Sequence, residues 1–442
     1  MNTAISMHDH IDHHRLVAGC IALVDVPAPT GFERACAARA VELLVERGLN
    51  AELLLLDEHA ADAWALIPAR GPRAGSAPTV LLYSPIDTVT TGDVAEDIPQ
   101  VAERIAGHLR AESVVTTDAS GNTVIVGLGA QNPKGHAACV LEAAAVLASA
   151  NELDGDVVIG LGAGGMPTDP LDRAGEKRLA TGHGVGVAAL LNELRRRDVF
   201  PAAAVIAKSG WFVQHEEVGL AWIDVVVQGT HTYVGARHRI PYRNAVADAA
   251  RVVVALEDEF VDATRGGAGT LEPQAMVSSL VGGWGRMPAF LPASARLRCD
   301  IRVLPGETAA VALARVGRVL KQLRAKDPDL DAHAEITLDI AGSHTAIDHW
   351  ICDSARKAWE LTDGRPHESP SRQSGSTDAN ILRNAGVPTA RIGLPKVHVN
   401  GAELGFAEGM NTVDTAAMTS LTELLLRTVA IAHTHPRRDA VS

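Results

Sequence analysis

Pro78-Thr79-Val80-Leu81-Leu82-Tyr83-Ser84-Pro85-Ile86-Asp87-Thr88-Val89 is the stretch from which the architecture can be read. Its first half is a continuous apolar run without polar alternation, the pattern of a strand covered on both faces of a sheet. The run stops at Pro85, and polar groups follow at once. Working outward, Asp156 to Gly162, Ala203 to Ala207 and Thr389 to Ile392 repeat the same apolar pattern, and Val124 to Gly129 reads as a strand end before a Gly-rich turn. Helices are expected over Leu16 to Val26, from near Glu33, over Gly135 to Ala148, in the Leu- and Arg-rich stretch before Ala203, near Asp348 to Leu361 and over Thr415 to Ala432. Such alternation predicts an α/β protein, a mainly parallel sheet with helices on both faces.

The pattern changes near Glu216. Leu220 to Gln228 alternates as an antiparallel strand does, and Ala295 to Val303 and Ala334 to Ile340 are further strands. Helices over Asn244 to Glu259 and Ala309 to Arg324 separate them, giving a strand-helix-strand-helix-strand unit. The expected organisation is a catalytic domain in two parts, 1–216 and 343–442, with an inserted α+β lid or dimerisation domain over 217–342.

Bulk composition narrows the function. A chain of 442 residues with 47% hydrophobic and 21% charged residues can bury two sizeable cores. A net charge of −13 argues against nucleic acid or an anionic membrane as partner and favours a small-molecule substrate. The cysteines (Cys20, Cys36, Cys139, Cys299, Cys352) are scattered and never in a CxxC pair, which points to reduced thiols in a cytoplasmic protein. No signal-peptide pattern and no membrane-length apolar run is present. The His-rich start (His8, His10, His13, His14) reads as incidental rather than as a metal site.

Reacting groups in an open α/β sheet gather beyond the carboxyl ends of its strands. The segments to inspect are therefore Tyr83 to Val89, Gly127 to His136, Gly162-Ala163-Gly164-Gly165-Met166-Pro167 and Ala207-Lys208-Ser209-Gly210. Together with Pro27-Ala28-Pro29-Thr30-Gly31-Phe32-Glu33, Asp300-Ile301-Arg302-Val303-Leu304-Pro305-Gly306 and Gly375-Ser376-Thr377-Asp378-Ala379, these segments resemble, in order, the motifs of the M20-type zinc peptidases and amidohydrolases, the group that includes acetylornithine deacetylase and succinyl-diaminopimelate desuccinylase. The resemblance implies that family's two-domain scaffold and hydrolysis of an amide-type bond.

The metal ligands that the resemblance implies are mostly missing. Pro85, or Ser84 in the alternative register, stands where the family has its first metal His; Asn132 replaces the bridging Asp. Gly164-Gly165 replaces the Glu-Glu pair, and Lys208 replaces the Glu of a Glu-Pro turn. Only His398 offers a match to the C-terminal His, in altered surroundings. Asn carries no charge, glycine has no side-chain ligand, and a lysine ammonium repels a cation, so a pair of ions about 3.5–4 Å apart is not expected. The expectation is no cofactor, or at most one divalent metal held by Asp87, His398 and one further group.

Lys208 is the most informative substitution. Its ammonium would neutralise Asp87 in the metal's stead, either as a reacting group with a lowered pKa or as a structural ion pair. Glu216-Glu217 comes after Lys208 and cannot be the displaced Glu pair, and Gly129 to Gly135 lacks P-loop spacing. In the inserted domain, the resemblance assigns His231, Asn244 and Arg302 to the substrate's carboxylate or carbonyl oxygen, often across a homodimer. The residues expected to act are thus Asp87, Asn132, Lys208 and His398, with Ser84, His231, Asn244, Arg302, Gly375 and Ser376 binding substrate. The activity expected is hydrolysis of a C–N bond in a small anionic substrate. The alternatives are an inactive binding homologue and hydrolytic deamination of a ring compound.

Overall fold

The computed structural model describes residues 7–91, 93, 97, 112–118, 121–150, 153–169, 182–263 and 269–437. They form two compact units: Met1–His215 with Thr345–Ser369 and Thr377–Ser442, and Glu216–His344 with Pro370–Ser376.

The first unit is built on a six-stranded sheet in the order Ala51–Leu55, Ala61–Ile67, Val157–Gly162, Val80–Pro85, Ala203–Ala207, Thr389–Ile392. The last four strands run parallel, and the first two join as an antiparallel extension. Every residue of Val80–Pro85 is buried, as its unbroken apolar run requires. Val80 and Leu82 face the helices His13–Val24, Arg34–Glu46, Lys134–Ser149, Trp350–Asp363 and Thr415–Ala432. Leu81 and Tyr83 face the opposite side, where Val185–Arg196 and Ala379–Asn384 pack. The Lys134–Ser149 helix is buried from Lys134 to Leu147, and its alanines let it lie close to the sheet. Its Glu142 carboxylate, fully buried, takes both ends of the Arg15 fork at 2.8 and 2.6 Å and so fastens the first helix.

Thr123–Val126 departs from expectation. It pairs not with the central sheet but with Val114–Thr117 and Thr412–Asp414 in a separate antiparallel ribbon. Only Val124 and Ile125 are buried, too little apolar surface for a strand covered on both faces. All five cysteines are unpaired and buried. Among the described residues, no helix is long and apolar enough to cross a membrane.

The second unit is a four-stranded antiparallel sheet in the order Ala275–Gly282, Ser294–Val303, Gly219–Gln228, Ala332–Ile340. Helices Ala245–Ala263 and Ala309–Lys326 cover one face. Ser294–Val303 alternates strictly: Ala295, Leu297, Cys299, Ile301 and Val303 enter the core, and Arg296, Arg298, Asp300 and Arg302 take the other face. The edge strand Ala275–Gly282 was not read from sequence because it is exposed along most of its length and carries no inward stripe.

A second correction concerns Pro370–Ser376, which groups with this unit instead of returning to the first. Gln373 exchanges backbone hydrogen bonds with Thr270 and Glu272, and the Arg372 fork grips the Glu272 carboxylate. Phe260 fills this unit's core at 1% exposure. Phe260→Ala is expected to destabilise the unit by about 3–5 kcal/mol, read as a lowered denaturation midpoint. A loss under about 1 kcal/mol would show that the site collapses around the smaller side chain.

Candidate active site

The loop that leaves the Val157–Gly162 strand presents a row of backbone N–H groups to buried acids. Ala163 N donates to Asp62 Oδ1 at 2.8 Å, Gly164 N to Glu33 Oε1 at 3.2 Å, Gly165 N to Asp87 Oδ1 at 2.8 Å and Met166 N to Asp87 Oδ2 at 3.1 Å. The Thr30 hydroxyl adds a third bond to Asp87 at 2.7 Å, and Gly31 N a second to Glu33 at 2.7 Å. Consecutive amides curled around carboxyl groups form a concavity that favours negative charge.

The two glycines make this turn feasible. Gly164 has φ +67°, and a Cβ there would lie 2.0 Å from the Gly182 carbonyl oxygen. A Cβ on Gly165 would lie 2.1 Å from Pro85 Cβ and 2.7 Å from Asp378 Oδ2. Pro85, Gly165 and Asp378 are therefore packed against one another.

Lys208 follows the Ala203–Ala207 strand and is 5% exposed. Its Nζ donates to the Gly165 carbonyl oxygen and lies 3.4 Å from Met166 Sδ. That carbonyl belongs to the peptide whose N–H, on Met166, donates to Asp87. The ammonium thus polarises a bond that ends on the carboxylate, a chain in which each hydrogen bond strengthens the next.

Tyr83 lies against Gly160 and Gly162, so closely that a Cβ on Gly162 would lie 2.0 Å from its hydroxyl. The hydroxyl is buried with no hydrogen-bond partner among the described residues. Burial, and then the charges of Asp378, Asp62, Asp87 and Glu33, raise its pKa well above the ordinary phenol value. Burial and the Asp87 charge push the Glu33 carboxyl up to about 8. Burial, with a smaller push from Asp87, takes Asp62 to about 7.

The sequence-predicted residues fall into different places. Asp87 and Lys208 meet through the Gly165 peptide. Asn132 is nearly buried, its amide N–H on the Met410 carbonyl and its Oδ1 without a partner among the described residues. Ser84 is a correction: it is fully buried inside the strand, its hydroxyl on the Pro85 carbonyl at 3.2 Å, and presents nothing to a substrate. His398 is another, because it stands exposed on a two-residue hairpin, paired through its backbone with Glu403.

His231, Asn244, Arg302, Gly375 and Ser376 all belong to the second unit. His231 is exposed and lies 5.5 Å from the Phe290 ring. Asn244 Oδ1 caps the N–H groups of Val246 and Ala247. Arg302 places its fork on its neighbour Asp300 at 2.6 and 3.0 Å. Gly375 is exposed and Ser376 buried.

Glu33, Asp62, Tyr83 and Asp378 were not assigned from sequence. Glu33 and Asp378 stood inside recognised motifs, and Asp62 is an acid near the start of an otherwise apolar strand, which was the available signal. Lys134 and His136, also in a motif, are structural. Lys134 Nζ donates to the Val26 carbonyl at 2.7 Å, satisfying a carbonyl just past the end of the first helix. His136 donates from Nδ1 to the Gln131 carbonyl at 2.7 Å and accepts from Leu394 N at 3.0 Å, neutral because burial lowers its pKa to about 3.

No family model matches the chain, and no curated protein matches its sequence. Solved structures do match over nearly full length. Aminopeptidase PepT from Bacillus cereus is 18% identical with a TM-score of 0.63, over 96% of this chain and 99% of that one. Human carnosine dipeptidase 1 is 14% identical with a TM-score of 0.68, over 98% and 99%. Bacillus subtilis YxeP, a dinuclear metal binding peptidase from the M20 family, is 14% identical with a TM-score of 0.60, over 96% and 98%. At these identities the fold is what is shared: the chain carries the M20-type peptidase and amidohydrolase fold.

The residues present do not fit a metal pair. Both oxygens of Asp87 are taken by N–H and O–H donors, the place of a Glu pair is held by glycines against Pro85, and a cation already stands beside them. Among the described residues no three His, Cys, Asp or Glu side chains are grouped as metal ligands.

The raised carboxyls have a consequence for stability. The folded state keeps a proton on Glu33 that the unfolded chain releases near its ordinary pKa of 4.5, so this contribution is full below about 4.5 and lost as pH rises through about 8. His136 and His433, buried and lowered to about 3 and about 4, act in the opposite sense only below their ordinary 6.5. Asp62, raised to about 7, gives up a smaller share in the same window, so between pH 6.5 and 8 the wild type should lose about 2 kcal/mol, and Glu33→Gln should remove most of that loss. Melting curves across this window check it, and parallel slopes for the two proteins would refute it.

Proposed function

We propose that this chain is a hydrolase of a carbon–nitrogen bond in a small anionic substrate, acting without a metal pair. The observation that carries the reading is the Lys208 ammonium, held at the carboxyl end of a sheet strand beside Asp87 and the Gly164-Gly165 turn. Reacting groups of open α/β folds stand at such strand ends. A fixed ammonium in a largely dry site stabilises the oxyanion that develops when water adds to an amide carbon. Asp87 holds the charge of that ammonium through the Gly165 peptide, and Asn132 supplies a second polar group from the neighbouring loop. Arg302, His231, Asn244, Gly375 and Ser376 remain the expected substrate contacts on the ground of the resemblance alone.

The complete engagement of Asp87 favours a second reading, a ligand-binding homologue without turnover. Assay of N-acyl amino acids and dipeptides with a chelator present separates the two. The hydrolase reading expects chelator-resistant turnover and a kcat lowered about 10²-fold in Lys208→Met, whereas Arg302→Met should mainly raise KM. Wild-type kcat in Lys208→Met would make the lysine structural; ligand-dependent melting without turnover would favour the binding reading. Purified protein should carry well under two equivalents of transition metal, and two tightly held zinc ions per chain would sink the metal-independent mechanism.

The reading includes a homodimer in a reducing, cytoplasmic setting, with no nucleic-acid or membrane partner. The Ala275–Gly282 edge exposes Met276, Leu280 and Val281, the last at 71%, and an apolar sheet edge calls for cover. Light scattering at micromolar concentration should give twice the chain mass, and Val281→Lys should give the monomer. A monomeric wild type would count against the dimer.

A further inference from the structure

The second unit carries a basic run, Arg237-His238-Arg239-Ile240-Pro241-Tyr242-Arg243, in a chain of net charge −13. Arg243 at its end and Arg251 beyond it are already balanced. Arg243 donates from Nε to Asp248 at 2.9 Å and from both terminal nitrogens to Asp327 at 3.0 and 2.8 Å. Arg251 donates to the same two carboxylates. Arg237 differs: its guanidinium lies 4.3 Å above the Tyr242 ring, and no ion pair to a carboxylate is formed among the described residues.

Arg237, Tyr242, Arg243, Asn244, Asp248 and Arg251 line one open cleft of about 310 Å³. That is at the small end for ligand sites, which run from about 300 to 1,000 Å³. Its floor is rigid, because Asp248 is 2% exposed and gripped by two guanidinium groups. Contact with the Tyr242 ring limits the rotamers open to the exposed Arg237, so part of the ordering cost is met before a ligand arrives. Asn244 spends its oxygen on the helix cap, which leaves its NH2 as a donor. The positive end of the Ala245–Ala263 helix lies at the same place.

We infer that this cleft is a binding site for a compact oxyanion, a carboxylate or a phosphate, centred on Arg237. The chemistry is that of a planar fork meeting two oxygens of one group. Arg302, by contrast, has its fork on Asp300. Asn244 is shared with the substrate contacts proposed above, but the anion site is centred on Arg237, outside that set, and its test does not use turnover.

Calorimetric titration of the intact protein with inorganic phosphate, and separately with citrate, should show one saturable site per chain. Raising the salt from about 20 to about 200 mM should weaken it. Arg237→Ala should bind about tenfold or more weakly, while Arg318→Ala, an exposed arginine of the same unit paired with Glu259, should bind as wild type. Tighter phosphate binding would mark a phosphorylated ligand and tighter citrate binding a carboxylate, each supporting the site. Absence of saturable binding to either anion, an unchanged Arg237→Ala, or an equal loss in Arg318→Ala would overturn it.

Discussion

The row of amides from Ala163 to Met166 is what the rest of the first unit's site depends on. Asp62, Glu33 and Asp87 lie at 1% exposure or less, and burying such acids without donors costs several kcal/mol each. The amides answer part of that cost, and burial raises the Glu33 and Asp62 carboxyls so that a held proton lowers it further at those two. Lys208 completes the arrangement from the carbonyl end of the same peptide unit. The donors are part of the main chain, so they keep their aim for as long as the loop keeps its turn.

That dependence ties together substitutions that look unrelated along the chain. Gly164 is needed for the left-handed turn, and Gly165 for the approach of Pro85 and Asp378. Pro85 in turn ends the strand without bringing an N–H of its own, since Ile86 supplies the next bond to the Gly162 carbonyl. A glutamate at 165 would need Pro85 and Asp378 displaced before it reached any ion. The departures from the M20 pattern are thus mutually supporting, and reverting one of them opposes the others.

Most of the fold was legible in the sequence because fully buried strands leave unbroken apolar runs and inserted-domain strands leave alternation. Thr123–Val126 misled because a short run of four cannot be told from a central strand by composition. Pro370–Ser376 misled because its attachment is made by backbone bonds to Thr270 and Glu272, which leave no residue-type signature. The site follows the same division. Asp87 and Lys208 are identifiable as side chains, whereas Gly164 and Gly165 bring no side-chain group that a sequence displays. Their contribution is N–H, present in nearly every residue type and meaningful only once the turn is known. Ser84 failed for the opposite reason: a polar residue at a strand end points inward as readily as outward, and the pleat turned it in.

In the second unit the open sheet face solves its own electrostatics. Asp224 is fully buried and held by Arg298 at 2.7 Å and Arg296 at 3.0 Å, while Arg298 also covers the Trp222 ring. Arg302 and Asp300 form the next rung. Exposed pairs of this kind contribute little individually, but a ladder with a buried member fixes where each guanidinium points. An arginine paired in this way draws a free anion less strongly than an unpaired one, and long-range attraction follows the charge left uncompensated rather than the number of arginines. By that criterion the sheet face is close to neutral, and the excess positive charge lies in the loop where Arg237 has a phenol for a neighbour and, among the described residues, no ion pair.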